Sequence, residues 1–364
     1  MLSNARLTRA GTAVGGNHLK FRRFFLCLIL LVFAGSAFSA DGPKYLGITF
    51  LTTNDLHGFL MPFDVKGDPT KNIPDIKGVG GAARRATMIR MLRSVARDPV
   101  FLIDCGDTTH GWSPLTKKYH GEADIAVMNL IGYDAMVPGN HEFQWHSPDL
   151  VRNIRSSEFP WVCANVVDEK TGETYLMPYI IREAWGVRVA FFGLTNEWPS
   201  TQPKTYVATP ELGLKVLPPK VVAAKMATEL RKQADIVMLL SHLGAGADAQ
   251  IAKEIPGIDL ILGGHSHSWL YTPRMAQTGQ PSAFDLAAVP IVQAGSFGRK
   301  MGLTRLIFRR DDSGRYTLMN CRGTLLDVNN SIADDPETAR VIQGYLKRIP
   351  PPAPPKPAAP APAK

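Results

Sequence analysis

Short apolar runs alternate with amphipathic stretches along most of the chain, and this pattern predicts a mixed α/β fold. The apolar runs are continuous, which is typical of strands that are buried on both faces of a sheet. We expect strands at 47–53, 100–103, 135–137, 187–193, 236–240, 258–262 and 291–294. Apolar residues recur at helical spacing between these runs, which predicts helices at 81–95, 122–131 and 220–233.

The sequence of the C-terminal part of the chain predicts a β-hairpin followed by a last helix. Two strand-like stretches, 303–309 and 315–319, flank a turn at 311–314 that reads Asp-Asp-Ser-Gly. The sequence Asp335-Pro336-Glu337 is a helix start, and we expect that helix to reach about Leu346.

Both ends of the chain differ in composition from the rest. Three basic residues precede the apolar run 24–33, and the small-residue site Ala37-Phe38-Ser39 follows it, as in an export signal. An uncleaved membrane anchor is the alternative, but the run is well short of the roughly 20 residues that span a bilayer. We therefore predict a signal peptide at 1–39, a periplasmic or secreted protein, and no stable membrane span after cleavage.

Residues 350–364 are only Pro, Ala and Lys, which cannot pack a core and favour an extended tail. This tail could be a solvated terminus, a spacer within a cell envelope, or a ligand of a proline-binding partner. The stretch 40–349 between the two ends is predicted to be one catalytic domain.

Composition and charge exclude some partners. A hydrophobic content of 45% with 20% charged residues is ordinary for a globular protein. The formal charge of +9 includes five basic residues in the leader and two in the tail, which leaves +2 for the rest. Without a basic stripe and interleaved aromatic residues, a nucleic-acid polymer is not an expected partner. Outside the leader, Cys105, Cys163 and Cys321 predict no particular disulfide.

Polar residues that can bind metal ions follow five of the predicted strands. The blocks lie at 55–57, 104–107, 139–142, 241–242 and 263–267. They offer carboxylate, amide and imidazole donors without an obligatory thiolate, a set that suits Mn, Zn, Fe or Mg. Because the carboxyl ends of strands form the ligand-binding rim of α/β sheets, these loops can converge. The pattern predicts a hydrolytic site with two divalent metal ions, most simply for phosphoesters.

The blocks resemble the signatures of the calcineurin-like metallophosphoesterases, and most closely those of the 5'-nucleotidase branch. The resemblance rests on Thr53-Asn54-Asp55-Leu56-His57-Gly58, Gly106-Asp107, Gly139-Asn140-His141-Glu142-Phe143, His242-Leu243-Gly244 and Gly264-His265-Ser266-His267, in this order. It implies a four-layer αββα sandwich, with helices outside and two sheets inside. In that branch a second, C-terminal domain normally supplies much of the nucleoside pocket. Here the last predicted helix leads into the proline-rich segment, which weakens the expectation of nucleoside specificity.

The early blocks suggest ligands by their spacing. Asp55 and His57 lie one residue apart on a turn, so both side chains can reach one ion. Asp107 is the natural bridge, because a carboxylate offers two oxygens to a pair of ions about 3.5 to 4 Å apart. Asn140 is a neutral oxygen donor and fits the second ion.

The resemblance implies the remaining ligands. It assigns His242 and His265 to the second ion and His267 to the first. The last two side chains would point in opposite directions in an extended backbone, so a loop conformation is needed. Gly263 and Gly264 would permit such a loop.

His141 is the candidate catalytic residue. Its imidazole could protonate the leaving alkoxide or stabilise charge on the phosphoryl oxygens. The nucleophile would be a metal-bound hydroxide, since two cations lower the pKa of water and screen the phosphate charge. In the 5'-nucleotidase branch an Asp three residues after this His orients its ring, and here that residue is Gln144. An amide stabilises an imidazolium less than a carboxylate does, which predicts a lower rate or a different preferred ester.

Weaker signals concern residues around these blocks. Asp104 either accepts a hydrogen bond from a liganding histidine or caps amides at the strand end. Arg299 follows a predicted strand and could meet a phosphate oxygen. His110, just past Asp107, is expected at the surface, and a position that lines the pocket is the alternative.

The sequence thus predicts an exported metal-dependent phosphoesterase whose partner is a small phosphoester, most simply a nucleotide. Two alternatives remain open. One is a UDP-sugar or sulfur-ester hydrolase of the same superfamily, and the other is a non-catalytic, metal-binding envelope scaffold.

Overall fold

Two β-sheets lie face to face, and helices cover their outer faces. The computed structural model describes residues 42–67, 69–71, 74–197, 207–277 and 288–349, which belong to one compact unit. The predicted signal peptide and the proline-rich tail lie outside the described residues.

The described strands and helices are as follows in chain order. The strands are β1 (Tyr45–Thr53), β2 (Phe63–Val65), β3 (Ile76–Val79), β4 (Val100–Asp104), β5 (Ala135–Met136), β6 (Val166–Asp168), β7 (Tyr179–Ala184), β8 (Val187–Thr195), β9 (Leu214–Val216), β10 (Ile236–His242), β11 (Leu260–Gly263), β12 (Arg274–Gln277), β13 (Ala288–Val292), β14 (Lys300–Arg310) and β15 (Tyr316–Asp327). The helices are α1 (Ala82–Val95), α2 (Pro114–Tyr119), α3 (Glu122–Ile131), α4 (Ser147–Ser156), α5 (Ala208–Glu211), α6 (Pro219–Leu230), α7 (Ala245–Glu254) and α8 (Pro336–Leu346).

The first sheet has the strand order β15-β14-β1-β4-β5, and the second has the order β12-β13-β11-β10-β8-β7. The strands that precede the polar blocks pair in parallel: β1 with β4, β4 with β5, and β10 with β11. Antiparallel partners flank them, namely β14 beside β1 and β7 beside β8. Parallel pairing brings the carboxyl ends of neighbouring strands to the same edge of each sheet.

Successive side chains of a strand face opposite sides of its sheet. Each sheet therefore packs against the other sheet on one face and against helices on the other. Phe50 of β1 packs between the sheets and meets the ring of Phe191 of β8 edge to face, with centroids 6.2 Å apart. The next residue, Leu51, faces the other way and belongs to the core that includes Ile89 of α1.

The second sheet repeats this division. Met238 and Leu240 of β10 lie between the sheets. Leu239 faces outward and packs in a core with Ala223 of α6 and Ile251 of α7. The result is the predicted four-layer sandwich of helices, sheet, sheet and helices, so the fold class is confirmed.

The seven predicted strands and three predicted helices are present, with bounds that differ by a few residues. The C-terminal hairpin is longer than predicted, since β15 continues to Asp327. Asp335 caps the last helix as expected, because its carboxylate accepts the N–H of Thr338 at 2.8 Å. The helices α2, α4, α5 and α7 were not predicted. Cys105, Cys163 and Cys321 are free thiols.

Within the described ranges, no helix combines the length and the apolar character that crossing a membrane requires.

The packing between the sheets predicts a large cost for Phe50→Ala. Its side chain is fully buried against Phe101 and Phe191, so truncation leaves a cavity in the central core. We expect the free energy of unfolding to fall by about 3 to 5 kcal/mol in urea denaturation. The control, Tyr45→Ala on the same strand at an exposed position, should change it by less than about 1 kcal/mol. Equal effects of the two changes would contradict this packing.

Candidate metal centre

The seven predicted ligands converge where the carboxyl ends of strands from both sheets meet. Loops after β1, β4 and β5 carry the first four, and β10 and the loop after β11 carry the other three. Six of them form two clusters in which the potential ligand atoms lie within 4.8 Å of one another: Asp55, His57 and His267, and then Asp107, His242 and His265.

The first cluster gathers around one carboxylate. Asp55 Oδ1 lies 3.3 Å from Nε2 of His267 and 3.8 Å from Nε2 of His57. The hydrogen bond from His267 to Asp55 raises the pKa of His267 above its usual value. Burial instead lowers the pKa of His57 to about 2, so His57 keeps a lone pair for a cation at neutral pH.

In the second cluster, Asp107 Oδ2 lies 3.1 Å from Nε2 of His242. The other ring nitrogen of His242 donates to the carbonyl oxygen of Cys105 at 2.6 Å, which fixes the ring. Burial lowers the pKa of His242, but the Asp107 carboxylate outweighs burial and raises it to about 10. The same pairing holds the pKa of Asp107 below its usual value, although burial opposes this shift. A metal ion would displace the proton that the pair holds.

Two buried donor atoms indicate that cations fit here. Asn140 Oδ1 is buried and has no hydrogen-bond partner among the described residues, and the buried His242 Nε2 has only the 3.1 Å contact with Asp107 Oδ2 described above, which lacks hydrogen-bond geometry. Leaving such atoms unpaired is costly, and native proteins rarely do so. An amide oxygen and an imidazole nitrogen beside carboxylates suit a divalent ion, which would satisfy both atoms.

The backbone of the site is unusual. Five of the seven predicted ligands have a positive φ, a conformation that is uncommon for residues other than glycine: Asp55 at 51°, His57 at 47°, Asp107 at 56°, His265 at 75° and His267 at 52°. This left-handed backbone folds each loop back on itself. Side chains one residue apart can therefore face one point, which an extended strand would not allow.

The two glycines before His265 act differently from the prediction. The left-handed positions are His265 and His267 themselves, and neither Gly263 nor Gly264 has a positive φ. A side chain at Gly264 would collide with the carbonyl oxygen of Cys105 and come within 2.9 Å of His242 Nδ1. Gly264 thus permits close approach of the two sheets rather than a special backbone angle.

A buried carboxylate that sequence reasoning did not single out shapes the loop around Asp107. Glu142 is fully buried, and its two oxygens accept the backbone N–H groups of Asp107, Thr108, Thr109 and Gly139 at 2.7 to 2.9 Å. Its position two residues after Asn140 was the only sequence signal. Glu142 therefore ties the loop after β4 to the loop after β5.

His110 lies in the site, which corrects the expectation of a surface position. Its Nδ1 lies 3.0 Å from Nδ1 of His57, and its ring stacks on that of His141 with centroids 3.6 Å apart. The reason is the loop shape imposed by Glu142, which turns His110 inward. Burial lowers the pKa of His110 to about 4.

The candidate catalytic residue faces the second cluster. His141 Nε2 lies 3.9 Å from Asp107 Oδ2, and its backbone N–H donates to Asp107 Oδ1 at 2.9 Å. Its Nδ1 lies 3.1 Å from Oε1 of Gln144, where relatives of the 5'-nucleotidase branch are expected to have a carboxylate.

The two weaker candidates take structural positions. Asp104 accepts from the Thr53 hydroxyl at 2.6 Å and from the N–H of Gly106 at 2.9 Å, so it caps the strand end, the second of its two possible roles. Burial raises the pKa of Asp104 to about 7. The guanidinium of Arg299 lies over the ring of Trp269, 5.1 Å from its centroid. In the described part of the chain, no hydrogen bond or ion pair joins Arg299 to a predicted ligand.

Comparison with known proteins agrees with this geometry. The family model described as calcineurin-like phosphoesterase matches residues 48–269, which include all seven predicted ligands. The chain belongs to the calcineurin-like phosphoesterase family. Within this family, a 5'-nucleotidase from Bos taurus is 30% identical over 319 residues, which cover 83% of this chain and 53% of the bovine protein. The chain spans about half the length of the curated relatives it matches.

Solved structures show the same fold. A 5'-nucleotidase precursor from Thermus thermophilus superposes with a TM-score of 0.69 at 26% identity, over 83% of this chain and 59% of that one. The calcineurin-like phosphoesterase YfkN from Bacillus subtilis superposes with a TM-score of 0.67 at 24% identity, over 83% of this chain and 97% of that one. The chain is thus a metallophosphoesterase of the 5'-nucleotidase superfamily, with His and Asp groups that could hold divalent metal.

The role of Glu142 predicts that Glu142→Gln is strongly destabilising. Each carboxylate oxygen accepts two backbone N–H groups, so either orientation of the amide places its NH₂ against two donors. We expect the free energy of unfolding of the metal-free protein to fall by about 3 kcal/mol or more in urea. Glu229→Gln on the exposed face of α6 is the matched control and should have little effect. A loss at Glu142 no larger than that of the control would show that the carboxylate does not hold the loop.

Proposed function

We propose that this chain is a dinuclear metal-dependent phosphoesterase that hydrolyses nucleotides or related phosphoesters. The observation that carries the proposal is the pair of donor clusters, one with Asp55 and the other with Asp107, together with the buried Asn140 Oδ1 that has no hydrogen-bond partner among the described residues. Carboxylate, amide and imidazole donors in two adjacent groups are typical of two-metal hydrolases. Family membership and the names of the 5'-nucleotidase relatives support the reaction class.

Two ions would be held by the seven predicted ligands. One ion would be bound by Asp55, His57 and His267 and the other by Asn140, His242 and His265, with Asp107 between them. When bound, two such cations would lower the pKa of water and screen the charge of the phosphate.

The chain's own residues then serve proton transfer and orientation. His141 presents Nε2 to the Asp107 side of the site, where a leaving oxygen can receive a proton. Gln144 holds the opposite ring nitrogen and so orients the ring. Because an amide carries no charge, it stabilises a protonated His141 less than a carboxylate would. Esters whose leaving group needs little protonation are therefore favoured.

An apolar groove beside the first cluster supports a leaving group that carries a flat ring, such as a nucleoside with its base. Its volume is about 300 Å³, and it is lined by Phe59, Met61, Phe63, Trp112 and Leu115 among others. Trp112 is 54% exposed, and its ring stacks on that of His57 at 4.7 Å, so the groove adjoins a predicted ligand. Aromatic walls bind planar groups well, and the volume is at the lower end of that of small-molecule sites.

We also propose that the protein is exported. The basic residues, the apolar run 24–33 and the site Ala37-Phe38-Ser39 support a cleaved signal peptide.

Metal-dependent hydrolysis tests the function. Purified residues 40–364 would be assayed with Mn²⁺ on nucleoside monophosphates, 2',3'-cyclic nucleotides, UDP-glucose and bis(p-nitrophenyl) phosphate. We expect Mn²⁺-stimulated hydrolysis, measured as phosphate, nucleoside monophosphate or p-nitrophenol according to the substrate, that Asp107→Ala and Asn140→Ala each reduce at least about a hundredfold, because each removes a predicted metal ligand. The exposed Asn330→Ala is the matched control for Asn140→Ala and should retain the rate.

The panel also separates the alternatives. Preference for UDP-glucose would support pyrophosphate cleavage instead. No turnover on any substrate, with two ions bound per chain by elemental analysis, would overturn the enzymatic proposal in favour of a metal-binding scaffold.

The groove predicts a selective effect of Trp112→Ala. Loss of the indole should raise KM for adenosine monophosphate about tenfold, because stacking of a base is worth about 1 to 3 kcal/mol. KM for ribose 5-phosphate, which has no base, should change less than about twofold. Trp185→Ala in the β7–β8 turn is the matched control and should leave both unchanged. Equal changes for both substrates would show that the groove does not bind the base.

A further inference from the structure

We propose that His110 is a positioning residue that holds both a metal ligand and the catalytic imidazole of this site. The inference rests on the proposed function and concerns a histidine outside the ligand set implied by the family resemblance. It is motivated by two contacts from one side chain: a hydrogen bond to His57 and a parallel stack on His141.

The contact with His57 selects which nitrogen of that ring is available for metal. Nε2 of His57 faces Asp55 and His267, while Nδ1 lies 3.0 Å from Nδ1 of His110. If Nε2 binds an ion, the ring proton must be on Nδ1, and His110 Nδ1 is then its acceptor. Such a partner fixes both the tautomer and the orientation of a liganding histidine.

The contact with His141 restricts the orientation of the His141 ring, which is the proposed proton donor. The two imidazoles are stacked with centroids 3.6 Å apart and an angle of 16° between their planes. Gln144 holds one edge of the His141 ring through Nδ1, and His110 covers one face. Together the two contacts leave His141 Nε2 directed toward Asp107.

A third metal ion bound by His57, His110 and His141 is the competing explanation, since their nitrogens also lie within 4.8 Å of one another. The stack argues against it. Imidazole lone pairs lie in the plane of the ring, so two nearly parallel rings 3.6 Å apart cannot both direct a lone pair at one ion. In addition, Nδ1 of His110 is already engaged by His57.

The loop holds His110 in this position. Thr108 and Thr109, which precede it, donate their backbone N–H groups to Glu142 at 2.8 Å. After it, the N–H of Trp112 donates to the carbonyl oxygen of His110 at 2.9 Å. The backbone on both sides of His110 is therefore fixed by hydrogen bonds, so its ring can in turn fix its neighbours.

Two substitutions separate the two contacts. His110→Phe keeps an aromatic ring against His141 but cannot accept a hydrogen bond from His57. His110→Gln keeps an acceptor but loses the ring. Mn²⁺ affinity would be measured by calorimetry on metal-free protein, and kcat would be measured at saturating Mn²⁺.

We expect His110→Phe to weaken one of the two Mn²⁺ sites at least about tenfold, with most of the rate recovered at high Mn²⁺. We expect His110→Gln to bind Mn²⁺ within about threefold of the unchanged protein and to lose about tenfold in kcat. His110→Ala removes both contacts without adding bulk, so it should show both losses even if the phenyl ring does not fit. A third Mn²⁺ ion that is lost in all three variants would instead support the competing metal site.

The control is His146→Ala, whose side chain is 71% exposed and pairs with Glu211 outside the site. His146→Ala should change neither the Mn²⁺ affinity nor kcat. The proposal would be overturned if the Phe and Gln variants each lost Mn²⁺ affinity and kcat to the same extent. It would also be overturned if both variants kept the affinity and kcat of the control. The calorimetry does not require turnover, so failure of the proposed function would be visible separately as an inactive unchanged protein.

Discussion

The buried carboxylate of Glu142 is the interaction on which the rest of the site depends. Burial raises its pKa, and an isolated buried charge would be costly. Four backbone N–H groups from two loops offset that cost with charge-assisted hydrogen bonds. Because these donors belong to the loops after β4 and β5, one side chain sets the positions of Asp107, His110 and Asn140 together. The two sheets supply the strand ends, and Glu142 gives the loops beyond them their shape.

The shape of these loops requires left-handed backbone conformations that are unfavourable unless other interactions stabilise them. Left-handed angles at residues such as Asp55 and His57 cost of order 1 to 3 kcal/mol each. Hydrogen bonds between loops oppose the cost: the N–H of Asp55 donates to the Gly106 carbonyl and that of His57 to the Asp107 carbonyl, both at 2.8 Å. In addition, the backbone N–H of Phe297 donates to the carbonyl oxygen of Asp55 at 2.7 Å. The potential ligands are therefore held in place before any ion binds, which lowers the ordering cost of metal binding.

The strands and the predicted ligands could be found from the sequence because both depend on local pattern. Apolar runs mark buried strands, and polar blocks at their ends mark the rim, as for Asp107 after β4. His110 and Glu142 could not be placed in this way. Their roles arise from contacts between loops that are distant in the sequence: Glu142 and Thr108 are 34 residues apart, and His110 and His57 are 53 apart. The prediction for Gly264 is wrong for a related reason, since its lack of a side chain serves a contact with Cys105 from the other sheet.

The predicted metal ligands and the apolar groove belong to different parts of this fold. The donor clusters lie at strand ends of both sheets, where parallel pairing and the core between the sheets fix them. The groove with Trp112 is lined instead by the loop after β1, by β2, by the start of α2 and by the end of α8. Trp112 connects the two parts because it lines the groove and stacks on His57. Under the proposed function, a change of sequence in the groove would alter binding of the leaving group without loss of the predicted metal ligands, whereas a change at Gln144 would act on the ring of His141.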